Sequence, residues 1–225
     1  MSIGWRLAQL AAFVSLLVAA PALAERVASG QPRQMLIPAV QARAKAVSLK
    51  LSDLPTAQTW KPSRQSAANK ALPHCANYHP DLSDLIENGQ FYSPNFTLPN
   101  RSYIGSDVSI FASAKQGQTA YARVVKPQLP GCQAETVVRS AAGQAFHVVV
   151  VSAGPLAFPR LADRSAAFRV VLDVKQGSQT TRVYADAVAL DHGATVVHLS
   201  FFGVGKPFGT LETSVAKTIA ARITH

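Results

Sequence analysis

The amino-acid sequence predicts an α+β fold in which an antiparallel β-meander is packed by an N-terminal and a C-terminal helix. Three segments between residues 168 and 201 alternate apolar and polar side chains and are separated by turn-forming residues. Residues 211–223 repeat an apolar side chain every four positions, and residues 36–47 are rich in alanine. A period of two is typical of strands, and a stripe of four-residue spacing is typical of an amphipathic helix.

The first 24 residues have the pattern of a secretory signal peptide. A basic start that includes Arg6 is followed by the apolar run Leu7–Ala20, and Ala22-Leu23-Ala24 matches the small-x-small cleavage pattern before Glu25. The apolar run is shorter than the roughly 20 residues that a spanning helix needs. We therefore predict a signal peptide over 1–24 and a secreted or extracytoplasmic location, and no later segment is long and apolar enough to span a bilayer.

Residues 25–34 are polar and contain glycine and proline, which predicts a flexible leader. Residues 35–225 are predicted to form a single α+β domain, since that length suffices to bury one core. Its first element is a helix over Leu36–Val47, in which Pro38 is tolerated because the first turn needs no amide donor there.

Positive charge is concentrated near the predicted N-terminal helix. From Arg26 to Lys70 there are eight basic residues and one acid, Asp53, and the whole chain carries a formal net charge of +10. Such a run forms either a solvated face or a surface that contacts a membrane. In an exported chain the expected anionic partners are cell-wall polymers or phospholipid headgroups, or the charge has no specific partner, and nucleic acid is not expected.

The proline-rich stretch between Trp60 and Asn100 is predicted to be a loop. It contains Cys75, and the second cysteine of the chain is Cys132. An even number of cysteines in an exported protein indicates a disulfide, and two cysteines allow one connectivity. The predicted Cys75–Cys132 bond would hold this long loop in place.

The remaining elements follow in order along the chain. Val108–Ala112 alternates as a half-buried strand, and Ala120–Val125 has the spacing of a short helix that Pro127 ends. Ala145–Val151 is a continuous apolar run, which predicts a central strand. The meander then uses turns at Lys175–Ser178 and Asp191–Gly193.

The final helix is predicted from four apolar side chains and from the placement of its charges. Glu212 lies near its start, whereas Lys217 and Arg222 lie towards its end, in agreement with the helix macrodipole. The apolar side chains on one stripe are Leu211, Val215, Ile219 and Ile223.

One constellation of the meander has the composition of a ligand site. Alternate residues of a strand share a face, so Tyr184 and Asp186 are expected to lie beside His198 and Ser200 on one face of the sheet. These four side chains are the predicted ligand-binding residues. No catalytic residue is predicted, because the G-x-S-x-G motif is absent and a disulfide removes both thiolates. No metal ligand is predicted, because the spacing of five between His74 and His79 does not place both on one helix face, and no cofactor is predicted.

The order of short motifs resembles that of a group of exported proteins. Leu49-Lys-Leu51-Ser-Asp53-Leu54-Pro55 followed by Trp60 and Cys75, and later Pro130-Gly-Cys132, resemble exported actinobacterial-type proteins described as hypothetical or sensor-domain-like. Those proteins are similar to the PknH-type extracellular sensor domain and to LpqN-like proteins, whose fold is a Mog1/PsbP-type sandwich. The resemblance implies a sheet flanked by helices, the Cys75–Cys132 bond and a non-enzymatic role. It transfers no functional residues.

The leading hypothesis is an exported, non-catalytic binding or sensor-like module of the bacterial cell envelope. Its partner would be a small ligand, a wall component or another protein. One alternative is an exported hydrolase or metal-dependent enzyme that uses His74 and His79 with the nearby acids Asp81 and Asp84. Another is a basic protein bound electrostatically to anionic wall polymers.

Overall fold

The computed structural model describes residues 30–65 and 72–224. The predicted signal peptide over 1–24 lies outside the described residues, as do positions 25–29 of the predicted leader. The end of that leader differs from the prediction, because Arg33 and Gln34 form a short strand that pairs in parallel with Ile86 and Glu87. The division of the chain into signal, leader and one domain stays a prediction.

In the described part of the chain, nine strands form one open sheet in the order β1-β3-β5-β9-β8-β7-β6, with β2 and β4 attached beside β5. Among these nine strands, every pairing other than β1 with β3 is antiparallel. The predicted meander is confirmed as three consecutive neighbouring strands, β7, β8 and β9. The strands are β1 Arg33–Gln34, β2 Lys61–Ser63, β3 Ile86–Tyr92, β4 Asn95–Thr97, β5 Tyr103–Phe111, β6 His147–Leu156, β7 Arg164–Gln176, β8 Gln179–His192 and β9 Thr195–Val204.

Helices cover both faces of this sheet. The core on one face joins buried residues of α1 and α4 to Val188 and Leu190 of β8, whereas α2 packs near Ala189 of the same strand. Because successive residues of a strand point to opposite faces, α1 and α4 lie on one face and α2 lies on the other, together with α3. The helices are α1 Pro38–Val47, α2 Ala114–Val124, α3 Leu129–Ala141 and α4 Thr210–Ile223.

The α+β prediction is confirmed, with the N-terminal and C-terminal helices both packed on the sheet. Within α4, Val215, Ile219 and Ile223 are buried as the stripe predicts. The second helical layer differs from the prediction, because α2 is longer than Ala120–Val125 and α3 was not predicted at all. Its sequence begins Leu-Pro-Gly, and proline in the first turn allows a helix to start there.

Two further predictions were wrong in detail. The stretch Trp60–Asn100 is not one loop, since it contains β2, β3 and β4. Residues 147–151 of the apolar run Ala145–Val151 lie in β6, which is an edge strand of the sheet and not a central one. Val149, Val150 and Val151 are exposed. A continuous apolar run predicts burial on both faces, but the position of a strand in the sheet depends on its neighbours.

The predicted disulfide is present between Cys75 and Cys132. It joins α3 to the segment that precedes β3, and both cysteines are buried in a cluster with Tyr78, Leu129 and Phe168. The Tyr78 hydroxyl donates a hydrogen bond of 2.6 Å to the carbonyl oxygen of Val124, which ties the same segment to α2. Within the described ranges, no helix is long and apolar enough to cross a membrane.

Candidate functional site

The structure separates the four predicted ligand-binding residues. In the β8–β9 register Asp186 lies opposite Phe201, whereas Ser200 lies opposite Ala187 and His198 opposite Ala189. Tyr184 and Asp186 therefore face α4, and His198 and Ser200 face the α2 side. The grouping on one face was wrong because alternation within each strand does not determine how two strands are aligned.

Asp186 belongs to a buried ion network beneath α4. Arg169 binds it through two hydrogen bonds, from Nε to Oδ1 at 2.6 Å and from Nη2 to Oδ2 at 2.8 Å, and Nη2 also lies 3.4 Å from Oε1 of Glu212. Glu212 accepts a 2.9 Å hydrogen bond from the Gly209 amide at the start of α4. The Arg169 guanidinium lies 5.8 Å from the Tyr184 ring centroid. These contacts supply hydrogen-bond partners for the buried carboxyl groups of Asp186 and Glu212. We therefore interpret both carboxyl groups as structural and not as ligand-binding.

Burial and the neighbouring Asp186 carboxylate raise the pKa of Glu212 to about 7. Arg169 opposes that shift, since a cation close to a carboxylate favours its ionised form. Two carboxyl groups thus share one guanidinium in a largely dry environment, and the stability of this layer depends on Arg169.

On the opposite face, a cavity of about 50 Å³ opens between the sheet and α2. Strands β3, β5 and β9 supply its polar side, and α2 with nearby loops supplies apolar residues. A volume of this size holds a few water molecules or a small polar group. The described lining residues are Gln31, Pro32, Leu72, Leu82, Glu87, Gln90, Tyr92, Asp107, Ser109, Phe111, Ala120, Val124, Val196 and His198.

Three of the polar lining residues form a row across the sheet. Tyr92 of β3 is the register partner of Asp107 in β5, and Asp107 is the partner of His198 in β9. Side chains of directly opposed residues lie about 5 Å apart at Cβ. The sheet therefore presents a phenol, a carboxyl group and an imidazole side by side.

Glu87 and Gln90 join this polar surface because of an irregularity in β3. Residues three apart normally point to opposite faces, but the register shifts between Glu87 and Gly89. As a result Glu87 is paired with Phe111 and Gln90 with Ser109, which share one face of β5. Sequence reasoning missed both residues, since no turn or alternation signal marks the bulge.

His198 contributes a neutral imidazole to the cavity. Burial lowers its pKa to about 4. Its Nε2 atom is buried and has no hydrogen-bond partner in the described part of the chain. A neutral imidazole has one donor and one acceptor nitrogen, so it can bind either kind of ligand group.

Glu87 is fully buried, and its two oxygens differ in their contacts. Oε2 accepts a hydrogen bond of 3.3 Å from the Gln34 amide, whereas Oε1 has no hydrogen-bond partner among the described residues. Burial raises the pKa of Glu87, and the nearby polar groups of Ser109 and Gln34 oppose this shift without cancelling it. Burial also raises the pKa of the Tyr92 phenol, and the negative charges of Asp107 and Glu87 raise it further.

The cavity is therefore rich in hydrogen-bond acceptors. Two carboxyl groups, Glu87 and Asp107, face it, and none of its described lining residues is lysine or arginine. A polar atom buried without a partner costs about 1–3 kcal/mol, which a bound donor group would recover. This arrangement favours a small ligand that donates hydrogen bonds, such as an ammonium or hydroxyl group.

The alternative site at His74 and His79 has a different geometry. The two rings are 4.9 Å apart and tilted by 58°, and both residues are exposed. Nε2 of His79 lies 3.0 Å from the Ala76 carbonyl oxygen, and Asp84 binds Arg123. Among residues 30–65 and 72–224, no three histidine, cysteine or acidic side chains are grouped so that they could hold a metal ion.

The imidazole of His198 makes stability depend on pH in a defined direction. The unfolded chain takes up this proton near 6.5 and the folded chain near 4, so the folded state loses stability as the pH falls from 6.5 to 4. We expect His198→Phe to reduce this loss, by up to about 3 kcal/mol over the window. Urea denaturation at several pH values measures the difference between the two proteins.

Groups that titrate in both proteins, Glu212 among them, cancel in that difference. His147→Phe serves as the matched control, because His147 is exposed at the start of β6 and contacts water in both states. The same pH profile for wild type and His198→Phe would contradict the prediction.

Comparison with known proteins finds a distant similarity in fold. No family and no curated protein matches the chain. The crystal structure of the extracellular domain of PknH from Mycobacterium tuberculosis is similar over 88% of this chain and 100% of that domain, with 12% identity and a TM-score of 0.44. This similarity assigns no ligand or residue role to this chain.

Proposed function

We propose that this protein is an exported, non-catalytic binding module of the bacterial envelope, and that its ligand site is the cavity between the sheet and α2. The observation that carries the proposal is a pair of buried polar atoms, Oε1 of Glu87 and Nε2 of His198, that have no hydrogen-bond partner among residues 30–65 and 72–224. Both residues line a cavity with an open side. Buried polar groups are normally hydrogen-bonded, and an exception is an expected property of a ligand site.

The chemistry of the cavity defines the ligand class. Its carboxyl groups accept hydrogen bonds and attract positive charge, so the bound group is a primary ammonium or a polyol hydroxyl. The volume of about 50 Å³ admits a small terminal group of this kind. The rest of a larger ligand would remain outside the cavity.

A hydrolytic role for the polar residues of the cavity is the less well supported hypothesis. His198 lies beside Asp107, and Ser109 is two positions further along β5. A hydroxyl nucleophile requires a hydrogen bond to its general base. Nε2 of His198 makes no such bond to Ser109, and its neutral state reflects burial, so a binding role agrees better with the contacts.

Export is supported by two independent features. The first 24 residues match a secretory signal, and the disulfide between Cys75 and Cys132 is typical of proteins in oxidising compartments. Both features belong to a proposal about location that does not depend on the cavity.

NMR titration tests the ligand class. We expect methylammonium and ethanolamine to shift the side-chain nitrogen resonances of His198, and acetate to leave them in place. Glu87→Gln removes a carboxylate that accepts the ammonium, so we expect affinity to fall roughly tenfold or more.

Glu135→Gln is the matched control, because Glu135 is exposed on α3 and pairs with Arg139. Equal shifts with acetate would contradict the proposal, as would Glu87→Gln binding ethanolamine as tightly as wild type.

A further inference from the structure

Four large apolar side chains are exposed at the two ends of α1. Met35, Leu36 and Ile37 precede the helix and Leu51 follows it, with exposed fractions between 45% and 61%. Three of them are consecutive. Scattered apolar residues on a surface are ordinary, but a contiguous exposed patch indicates an interaction site.

The outward face of α1 extends this patch between the two ends. Ala44 and Val47 point inward to the core, whereas the exposed positions on the other side of the helix carry small apolar side chains. Two basic residues, Arg43 and Lys45, border that face. The exposed small residues are Pro38, Ala39, Ala42 and Ala46. We call this patch, with Met35, Leu36, Ile37, Lys50 and Leu51, the α1 surface.

The exposed charges of the α1 surface all have the same sign. Arg43, Lys45 and Lys50 are exposed, and the acid between residues 30 and 65, Asp53, is bound by Arg222 with its side chain only 4% exposed. The adjacent helix α4 likewise exposes a basic side chain, Lys217, and buries an acidic one, Glu212.

We propose that the α1 surface docks on an anionic phospholipid bilayer. The basic side chains would lie at the headgroups while residues 35–37 enter the interface below them. A helix that lies in a membrane interface combines apolar residues with flanking lysine and arginine in this way. The exposed apolar residues favour an anionic bilayer over an anionic wall polymer as the partner. A bilayer offers residues 35–37 an apolar medium to enter, whereas a water-soluble polymer does not.

Docking through α1 is independent of the proposed ligand. The cavity faces α2, whereas α1 packs on the opposite face of the sheet. No residue of the α1 surface is among the described lining residues of the cavity. An experiment that contradicts ligand binding in the cavity therefore leaves the docking of the α1 surface untouched, and the reverse also holds.

Vesicle co-sedimentation tests the docking. The chain from Glu25 onward is suitable because every described element lies between residues 30 and 224. We expect it to bind vesicles of phosphatidylglycerol and phosphatidylcholine and not vesicles of phosphatidylcholine alone. Removing three charges in Arg43→Gln/Lys45→Gln/Lys50→Gln should lower the partition coefficient roughly 100-fold, since each basic residue near an anionic surface contributes about fivefold.

Two further triple variants make the result specific. Met35→Ser/Leu36→Ser/Ile37→Ser keeps every charge, and we expect it to bind phosphatidylglycerol vesicles at least tenfold more weakly. Lys115→Gln/Lys126→Gln/Lys175→Gln changes the net charge by the same amount at exposed lysines outside the α1 surface, and we expect it to bind nearly as wild type. Thermal unfolding establishes that each variant is folded.

Three outcomes would overturn the proposal. The first is an absence of binding to phosphatidylglycerol vesicles by the wild type. The second is equal loss in the control triple, which would indicate net charge alone. The third is unchanged vesicle binding after the serine substitutions together with equally tight binding to a soluble polyanion, which would indicate an anionic polymer as the partner.

Discussion

Replacing Arg169 by methionine is expected to lower the free energy of unfolding by about 3–5 kcal/mol at pH 8, the range seen when one partner of a buried ion pair is removed. Asp186 and Glu212 would remain buried with their side chains 1% and 3% exposed, and no cation would balance them. Methionine occupies a similar volume, so the loss measures electrostatics more than packing. Chemical denaturation followed by circular dichroism gives the value.

Arg182→Met provides a control in the same pair of strands. Arg182 binds Asp173 through two hydrogen bonds of 2.9 Å, with β7 and β8 as partners, as in the Arg169–Asp186 pair. Arg182 is 47% exposed, and solvent screens an exposed pair, so we expect a far smaller effect. Equal effects of the two substitutions would show that the Arg169 network is not a buried one.

The pH dependence gives the Arg169 prediction a second readout. The folded-state pKa of Glu212, about 7, lies above its ordinary value of 4.5, so the folded state binds this proton more readily than the unfolded chain. Without Arg169 this preference increases, and the stability deficit should grow as the pH rises through 7 and shrink below it. Glu212→Gln in the Arg169→Met background should recover part of the loss at high pH.

Loss of the disulfide has the second large expected effect. Cys75 and Cys132 are separated by 57 positions, and a closed loop of that length contributes about 4 kcal/mol in the chain-entropy account. We expect the protein reduced with dithiothreitol, and the Cys75→Ala/Cys132→Ala variant, to unfold at a lower urea concentration than the oxidised protein. The segment around Cys75 should become the first to exchange amide hydrogens, because the bond joins it to α3.

The alanine variant also controls for the reductant. Dithiothreitol should leave its unfolding midpoint unchanged, whereas the midpoint of the wild type should shift. An identical midpoint for oxidised and reduced wild-type protein would contradict the prediction.

Local patterns predicted the regular elements of this fold for physical reasons. The hairpins between β7, β8 and β9 follow from alternation and from turns in which Gly177 and Gly193 adopt positive φ angles. The apolar stripe of α4 is a property of its own residues, and it packs as that stripe predicts. With only two cysteines, their pairing needed no knowledge of the fold.

The candidate site could not be predicted from local sequence patterns. It requires three strands from separate parts of the chain, and Glu87 and Gln90 reach it only through the bulge in β3. The grouping of Asp186 with His198 was wrong for the same reason, since a one-residue difference in register places a side chain on the other face.

By itself the sequence determined the pattern of an export signal, the excess of positive charge, the disulfide partners, the meander and the final helix, because each depends on neighbouring residues or on composition. Only the tertiary structure decided that β6 is an edge strand, that α2 and α3 form a second layer, that His198 faces a cavity while Asp186 faces Arg169, and that residues 35–37 are exposed. Those features depend on strand register and on which surfaces other elements cover, and both are set by contacts between residues far apart in the chain.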